Sequence, residues 1–402
     1  MKIPDGITFK PPLIAVAFTV ALAVMAAHSG SAQRLAASKA ACWTRAPWNH
    51  SNFFPIAVWL QNPTNADRYR LAGINTYAGL WQGPTEGQLA TLKAAGLRAV
   101  CSIDRAGMWH TNDPTIIAWL QRDEPDNAQT PGARFGFGSP VPPSRILNDY
   151  QYLKTLDPTR PVLLNLGQGV AWDNWYGRGR RKNHPEDYPE YLKGCDIASF
   201  DIYPVNHEKP EMADKLWYVG RGVERLVQWG NGEKRVWNCI ECTALESPRR
   251  KPTPEQVRAE VWMSLVHGSS GLIYFVHQFK PRFDEAALLD DPEMLAAVTR
   301  LNGQITALAP VLNSPTLRDA VSVQTQPADG PVSWMAKRVD ATTYLFVVGM
   351  TNQPAEATFT FAGGQAASRI EVLGEDREID LHGQKFSDHF GPWGVHLYKL
   401  TE

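Results

Sequence analysis

The sequence predicts an α/β chain, a (β/α)8 TIM barrel followed by a small antiparallel β-sandwich. Eight apolar, strand-like runs recur along residues 54–279, with amphipathic helical patterns between them. Most of these runs are continuously hydrophobic, as parallel strands covered on both faces should be. Beyond about residue 314 the pattern changes to short, alternating, turn-separated segments, the signature of an antiparallel module of roughly 85 residues.

The expected barrel strands are FPIAVWLQ (54–61), INTYAGLW (74–81), LRAVCSI (97–103), IIAWLQRDEP (116–125), PVLLNLG (161–167), DIASFDIYPV (196–205), RVWNCIECTAL (235–245) and GLIYFVHQF (271–279). Helical patterns fall at 85–96, 144–158, 215–230, 253–268 and 291–312. The fourth opens with Thr253 as a cap, Pro254 in the first turn and Glu255 beside the positive end of the helix dipole. Several patterns end at Gly or Asp-Pro, as helix stops should. Strand followed by helix, repeated eight times, reads as the barrel. A doubly wound sheet is the other option, but no glycine fingerprint follows the first strand. The expected organisation is an export signal at 1–32, a linker at 33–50, the barrel at 51–312 and the sandwich at 313–402.

The 402 residues are 44% hydrophobic and 20% charged, an ordinary globular balance with a sizeable core. A net charge of −1 leaves no electrostatic footprint for nucleic acid or an anionic membrane surface. At the N-terminus, Lys2 and Lys10 precede the apolar run Leu13–Ala27, and small residues follow, with a cleavage point expected after Ala32. The run is short for a membrane span, and an uncleaved membrane anchor is the alternative to a cleaved signal. The mature protein is therefore expected to be secreted or periplasmic, with no membrane contact apart from the signal.

Five cysteines (Cys42, Cys101, Cys195, Cys239 and Cys242) form no disulfide framework, and at most one pair is expected to be bridged. Cys239 and Cys242 make a C-x-x-C inside an apolar strand with no second such motif, so buried structural thiols are the better reading than zinc or redox chemistry. His110, His184, His207 and His277 lack close metal-ligand spacing. No metal and no cofactor are expected. HGSSG (267–271) precedes a strand rather than a helix, which rejects a serine-hydrolase elbow.

In a barrel the reactive groups come from the C-terminal ends of strands. Strand 4 ends in Asp123-Glu124-Pro125. Strand 6 ends in Asp201 and Tyr203. Strand 7 carries Glu241, an acid inside an apolar strand, costly unless paired or used. Strand 8 ends in His277. Two carboxyls facing each other across a barrel mouth suit glycoside hydrolysis, one as proton donor and one as nucleophile or base.

These residues together resemble the clan A glycoside hydrolases, whose acid/base glutamate ends strand 4 and whose nucleophilic glutamate lies on strand 7. RDEP is similar to that clan's Asn-Glu-Pro, and NCIECTA to its strand-7 segment. DIYP resembles the strand-6 end, where a tyrosine contacts the nucleophile, and GSSGLIYFVHQF resembles strand 8. The resemblance spans about residues 52–310. It implies Glu124 as acid/base, Glu241 as nucleophile, a retaining double displacement and carboxyls about 5–5.5 Å apart. Asp123 stands where the clan has Asn. It can accept a hydrogen bond but not donate one, and its charge should raise the pKa of Glu124.

Asp123, Asp201, Tyr203, His277, Trp81, Trp172 and Trp175 are the expected substrate-binding residues. Trp172 and Trp175 in the loop after strand 5 are either sugar platforms or loop anchors. The basic run Arg178 to Lys182 is either a solvated loop or a contact for acidic substituents. A carbohydrate is the expected partner. The rival functions are a non-catalytic carbohydrate-binding barrel and another hydrolase or lyase on the same fold.

Overall fold

Eight parallel staves close on one another in the order their runs have in the sequence. They are β1 (Ile56–Trp59), β2 (Thr76–Ala78), β3 (Arg98–Ser102), β4 (Ile116–Asp123), β5 (Val162–Leu166), β6 (Ile197–Phe200), a seventh in two pieces, β7 (Arg235–Val236) and β8 (Asn238–Glu241), and β9 (Leu272–Phe275). The sheet order is β7-β6-β5-β4-β3-β2-β1-β9-β8, and the two end strands are consecutive pieces of one stave, so the sheet is a barrel. The seventh stave breaks at Trp237, whose amide still donates to the carbonyl of Ala198 (2.9 Å) and carries the ladder through the break. The computed structural model describes residues 43, 47–103, 105–130, 137–328, 330–363 and 369–401. The expected export segment, most of the linker after it and Cys42 lie outside the described residues.

Alternation along the staves divides the core in two. Ala57, Val100, Leu163, Ile197, Cys239 and Ile273 fill the barrel interior, while Ile56, Val58, Leu164, Ala198, Ile240 and Tyr274 face the helices. The helical layer is α1 (Ala66–Leu71), α2 (Glu86–Ala94), α3 (Arg105–Met108), α4 (Pro143–Leu156), α5 (Tyr188–Leu192), α6 (Trp217–Trp229), α7 (Pro254–Val266), α8 (Pro292–Ala307) and α9 (Ala309–Leu312). Thr85 and Gln88 form a capping box on α2, and Thr253 and Gln256 form one on α7, each satisfying two amides that the first turn leaves free. The helical pattern at 291–312 is two helices, because Pro310 has no amide to continue the first ladder past Leu308. Among the described residues no helix is long and apolar enough to cross a membrane. Cys101, Cys195, Cys239 and Cys242 are buried free thiols.

The remaining strands make two antiparallel sheets packed face to face. One is β10 (Thr316–Leu317), β12 (Val332–Val339), β13 (Thr342–Gly349), β18 (Val395–Thr401), β15 (Arg369–Val372) and β16 (Arg377–Asp380), in that order. The other is β11 (Val321–Gln326), β14 (Ala355–Phe361) and β17 (Lys385–Phe390). Phe359, Phe386, Leu345 and Tyr398 lie between them. The outer face of the larger sheet packs on α7, where Trp262 meets Phe346 at 5.2 Å between ring centroids. The sandwich thus covers a helix behind the barrel wall and leaves the strand C-termini open.

Candidate active site

A cavity of about 720 Å³ opens at the C-terminal ends of the staves. Its walls carry aromatic rings (Trp59, Trp81, Trp175, Tyr203, Phe275, Phe279, Phe283), amides (Gln61, Asn62, Asn165, Gln168) and four carboxyls, Asp123, Glu124, Asp201 and Glu285. Among the described residues no lysine or arginine lines it.

Asp123 and Glu124 are consecutive, and consecutive residues of a regular strand point to opposite faces. Here both line the cavity. The pairing of β4 with β5 shifts register between Leu120 and Asp123, and Glu124 turns to φ +41°, in the left-handed region that a glutamate rarely occupies. The Glu124 amide still donates to the Asn165 carbonyl (2.9 Å), which pins the turn to β5. Strain of this kind costs about 1–3 kcal/mol and persists only where surrounding contacts enforce it. Those contacts come from the rest of the acidic turn. Buried Asp126 accepts from the Gly167 amide (2.8 Å) and the Tyr188 hydroxyl (3.0 Å), and the Asn127 side chain accepts from the Trp175 indole (2.8 Å).

Asp123 accepts from Asn165 Nδ2 (2.9 Å), and Asn165 in turn accepts from the Ser199 hydroxyl (2.7 Å). This chain sets the Asn165 amide so that its NH2 faces the carboxylate. Asp123 is open to the cavity yet surrounded by protein, and burial raises its pKa while the Asn165 bond opposes the rise. Glu124 is in hydrogen-bond contact with Asp201, which acts as the donor. Burial pushes Glu124 up to about 7, and the charges of Asp126 and Asp123 add to this, while the bond from Asp201 and one from Asn127 pull it down. Asp201 is raised well above the carboxylate range by burial and by the charges of Glu124 and Asp123. Asp201 therefore keeps its own proton while Glu124 gains and loses one near neutral pH, beside a third carboxyl.

Glu241, the expected nucleophile, does not reach this cavity. The residue of the seventh stave that lines it is Cys239, beside Tyr203. Glu241 is fully buried, and its carboxylate accepts from the amides of Val205 (2.6 Å) and Asn206 (2.9 Å) and from Asn206 Nδ2 (2.6 Å). Asn206 also donates to the Thr243 carbonyl (2.9 Å) and accepts from the Leu245 amide (2.8 Å). Glu241 thus ties the loop after β6 to the loop after β8. Its other neighbour is Glu260 of α7, likewise fully buried, which donates to it and holds a proton because burial raises its pKa well above the ordinary value. The expected pairing of Glu124 with Glu241 is corrected to a cluster of Glu124, Asp201 and Asp123. The acid in the apolar strand is used as a clamp, with a second carboxyl as its partner.

Of the expected binding residues, Asp123, Asp201, Tyr203, His277, Trp81 and Trp175 all line the cavity. Trp172 does not. It is buried and supports Trp175 from below, with ring centroids 6.0 Å apart. His277 Nε2 faces Gln61 Nε2 (3.3 Å), whose Oε1 accepts from the Tyr69 hydroxyl (2.6 Å). That orientation makes Nε2 of the ring an acceptor, and burial lowers its pKa, so the imidazole is neutral. The basic run serves its own loop. Arg178 is buried, donates to Asp187 (2.6 Å) and lies over the Tyr188 ring, and Arg181 pairs with Asp187. Arg180 and Lys182 of the run are exposed, and none of its residues lines the cavity.

Sequence reasoning passed over Asn165, Gln168, Glu285, Phe279 and Phe283. Asn165 interrupts the apolar run PVLLNLG, the same signal that drew attention to Glu241. Phe279 ends the run expected as the eighth strand but lies beyond Phe275, where β9 stops, and Gln168, Phe283 and Glu285 lie on loops whose path no periodicity encodes. Glu285 accepts from the Asn62 amide, which joins the loops after β9 and β1.

No family model and no curated protein matches the chain. Among solved structures it is similar to a putative α-galactosidase from Bacteroides fragilis (10% identity, 87% of this chain and 80% of that one, TM-score 0.54). It is similar to an α-amylase from Geobacillus thermoleovorans in complex with acarbose (11% identity, 88% and 99% covered, TM-score 0.52). A third is α-galactosidase I from Mortierella vinacea (10% identity, 88% and 98% covered, TM-score 0.50). At this identity the likeness establishes a shared fold, a barrel with a trailing β-domain, over most of each chain.

Proposed function

We propose that the protein is a glycoside hydrolase whose proton donor is Glu124. The observation that carries this reading is the convergence of Asp123, Glu124 and Asp201 in one aromatic-lined cavity at the barrel mouth. Glu124, raised to about 7, is an acid that still holds its proton near neutral pH and can give it to a glycosidic oxygen. Asp201, hydrogen-bonded to it, stabilises the carboxylate that the transfer leaves behind. Asp123 faces the cavity as a carboxylate where the sugar develops positive charge. The aromatic faces and neutral amides suit the two sides of a sugar ring. That solved glycosidases share the fold is consistent with this reading, and fold alone does not decide it.

The retaining course expected from the sequence stays in the proposal with its second carboxylate changed. Asp123 takes the role of nucleophile in place of Glu241. Retention requires the Asp123 and Glu124 carboxyls to stand about 5–5.5 Å apart across the reacting carbon, and both side chains line the one cavity. Export of the mature chain, with residues 1–32 removed, remains part of the proposal, with N-terminal sequencing of the exported protein as its check.

The test is a panel of aryl glycosides and polysaccharides with Glu124→Gln and Asp123→Asn. Glu124→Gln should lose about 10²–10⁴ in kcat on poor leaving groups and much less on nitrophenyl glycosides, because activated leaving groups need no proton. Asp123→Asn should fail on both. Full activity in Glu124→Gln, or no turnover of any glycoside by the native protein, would sink the reading. The anomer released first, read by NMR, decides between retention and inversion.

A further inference from the structure

Among the described residues, five exposed large apolar side chains gather on the loops at the barrel mouth. Trp81, Phe137, Tyr176, Phe279 and Phe283 are exposed on segments that follow the C-terminal ends of barrel strands, whereas Leu71, Met108, Trp109, Tyr152 and Trp334 are exposed elsewhere. The barrel order turns this into two banks. Trp81 follows β2, and Phe279 and Phe283 follow β9, the two neighbours of β1. Trp175 and Tyr176 follow β5, which lies across the barrel from β1. On the first bank His277, Phe279 and Phe283 form a ladder. His277 and Phe279 are nearly parallel (8°) at 6.2 Å, and Phe279 and Phe283 lie 6.2 Å apart. On the second, Tyr176 packs on Trp175 at 4.3 Å, and Trp175 is held by Asn127. Glu124 and Asp201, at the ends of β4 and β6, flank β5.

A pocket that clips one sugar from a chain end needs a platform for that sugar and a closed wall beyond it. Here aromatic faces continue outward on both sides of the acids. We infer that the barrel mouth is an open cleft that binds an internal stretch of a neutral glycan chain, so that the hydrolysis proposed above is endo-acting. Neutrality follows from the lining. Four carboxyls and no cation line the cavity among the described residues, so a uronate beside the acids meets like charge; the Lys209 ammonium, 5.9 Å from the Tyr176 ring centroid, stands outside that lining. Exposed aromatic faces that contact apolar sugar faces each contribute about 0.5–1.5 kcal/mol by analogy with ring pairs. Binding should therefore strengthen with chain length until both banks are covered. The inference rests on reading the mouth as a sugar site, and its test reads binding, not turnover.

The experiment uses the full chain carrying Glu124→Gln, which keeps any chain intact. Galactan, mannan, xylan, mixed-linkage β-glucan, starch and polygalacturonate are cast in native gels, and the retarding polymer's oligosaccharides of two to six sugars are titrated by calorimetry. At least one neutral polymer should retard the protein and polygalacturonate should not. Affinity should rise at least tenfold from two sugars to six. Trp81→Ala and Phe283→Ala, both at exposed positions, should each weaken the hexamer about tenfold and the dimer less than threefold. Retardation by none of the neutral polymers, affinity independent of length, tighter binding of polygalacturonate, or unchanged hexamer binding in both variants would overturn the inference. Length-dependent binding with no hydrolysis by the native protein would instead leave the cleft standing and sink the hydrolase.

Discussion

Gly167 lies directly beneath the carboxylate of Glu124, and a Cβ on this glycine would stand 2.9 Å from Glu124 Oε1. The same atom would meet both side-chain polar atoms of Asn127 at 2.9 Å. The backbone of Gly167 is extended, with φ −86°, so alanine itself is unstrained there. What must move are the ends of two flexible side chains, the proposed acid and the residue that orients Trp175. Gly167→Ala should thus fold normally, with Tm within about 2 °C of native, and lose about 10- to 100-fold in kcat. Kinetics and thermal melts on one preparation check this. Native kcat in the variant would mean that Glu124 is not the acid, or that its position is unimportant.

Glu241→Gln separates the corrected site from the expected one. The carboxylate serves three donors from the loop at Val205 and Asn206, and an amide can accept only part of that set. A buried donor left unsatisfied costs about 1–3 kcal/mol. The variant should therefore melt several degrees lower, yet below that temperature keep kcat within about tenfold, since no atom of Glu241 lines the cavity. A loss of ~10³ or more in kcat at unchanged Tm would restore Glu241 as the nucleophile. Labelling with a 2-fluoro glycoside and locating the modified peptide checks the same point, and Asp123 is the expected site.

The fold was legible because parallel strands buried on both faces leave an unbroken apolar trace, and all eight traces are staves. Strand ends were legible as well, and they placed Glu124, Asp123, Asp201, Tyr203 and His277 at the mouth. What alternation could not convey is where a side chain goes once the strand is finished. Glu241 closes its stave, and its direction is set by amides of a loop 35 residues upstream. Glu124 reaches the cavity through a left-handed turn that is invisible in residue types, since nothing in RDEP announces a positive φ. Trp172 and Trp175 have the same composition and spacing as two platforms, and only the hydrogen bond to Asn127 distinguishes the ring that faces the cavity from the one beneath it.

The pH profile should carry the mark of Glu124. The protonated acid is the active form, so kcat/KM on poor leaving groups should fall about tenfold per pH unit above about 7, the value to which burial raises this carboxyl. In Glu124→Gln the residual hydrolysis of nitrophenyl glycosides should lack that alkaline limb. A limb that persists unchanged in the variant assigns the ionisation to another group. The tightly raised Asp201 is the first to examine, through Asp201→Asn.

Glu260 gives the fold a pH dependence that is separate from catalysis. It is fully buried on α7, and burial followed by the neighbouring Glu241 carboxyl shifts it. Glu241 is raised to about 7 and Glu260 well above its ordinary value, with burial the main cause in each. Both bind protons more tightly folded than unfolded, so the folded state holds more protons between the ordinary carboxyl value and the raised one. Stability is then fully present below about pH 4.3 as far as this pair is concerned, and falls as pH rises through about 7. Glu260→Gln supplies a permanent N–H donor to Glu241 and removes one of these protons from the balance. The variant should be more stable than native protein at pH 8, equal or slightly less stable at pH 5, and show a flatter dependence between them. Urea melts at the two pH values check the slope. The carboxyls at the barrel mouth also titrate, but they are common to both proteins and cancel in the difference. A Glu260→Gln protein that is less stable at pH 8 than at pH 5 by the native margin would show that Glu260 is already ionised in the fold, and that the pair is held by something other than a shared proton.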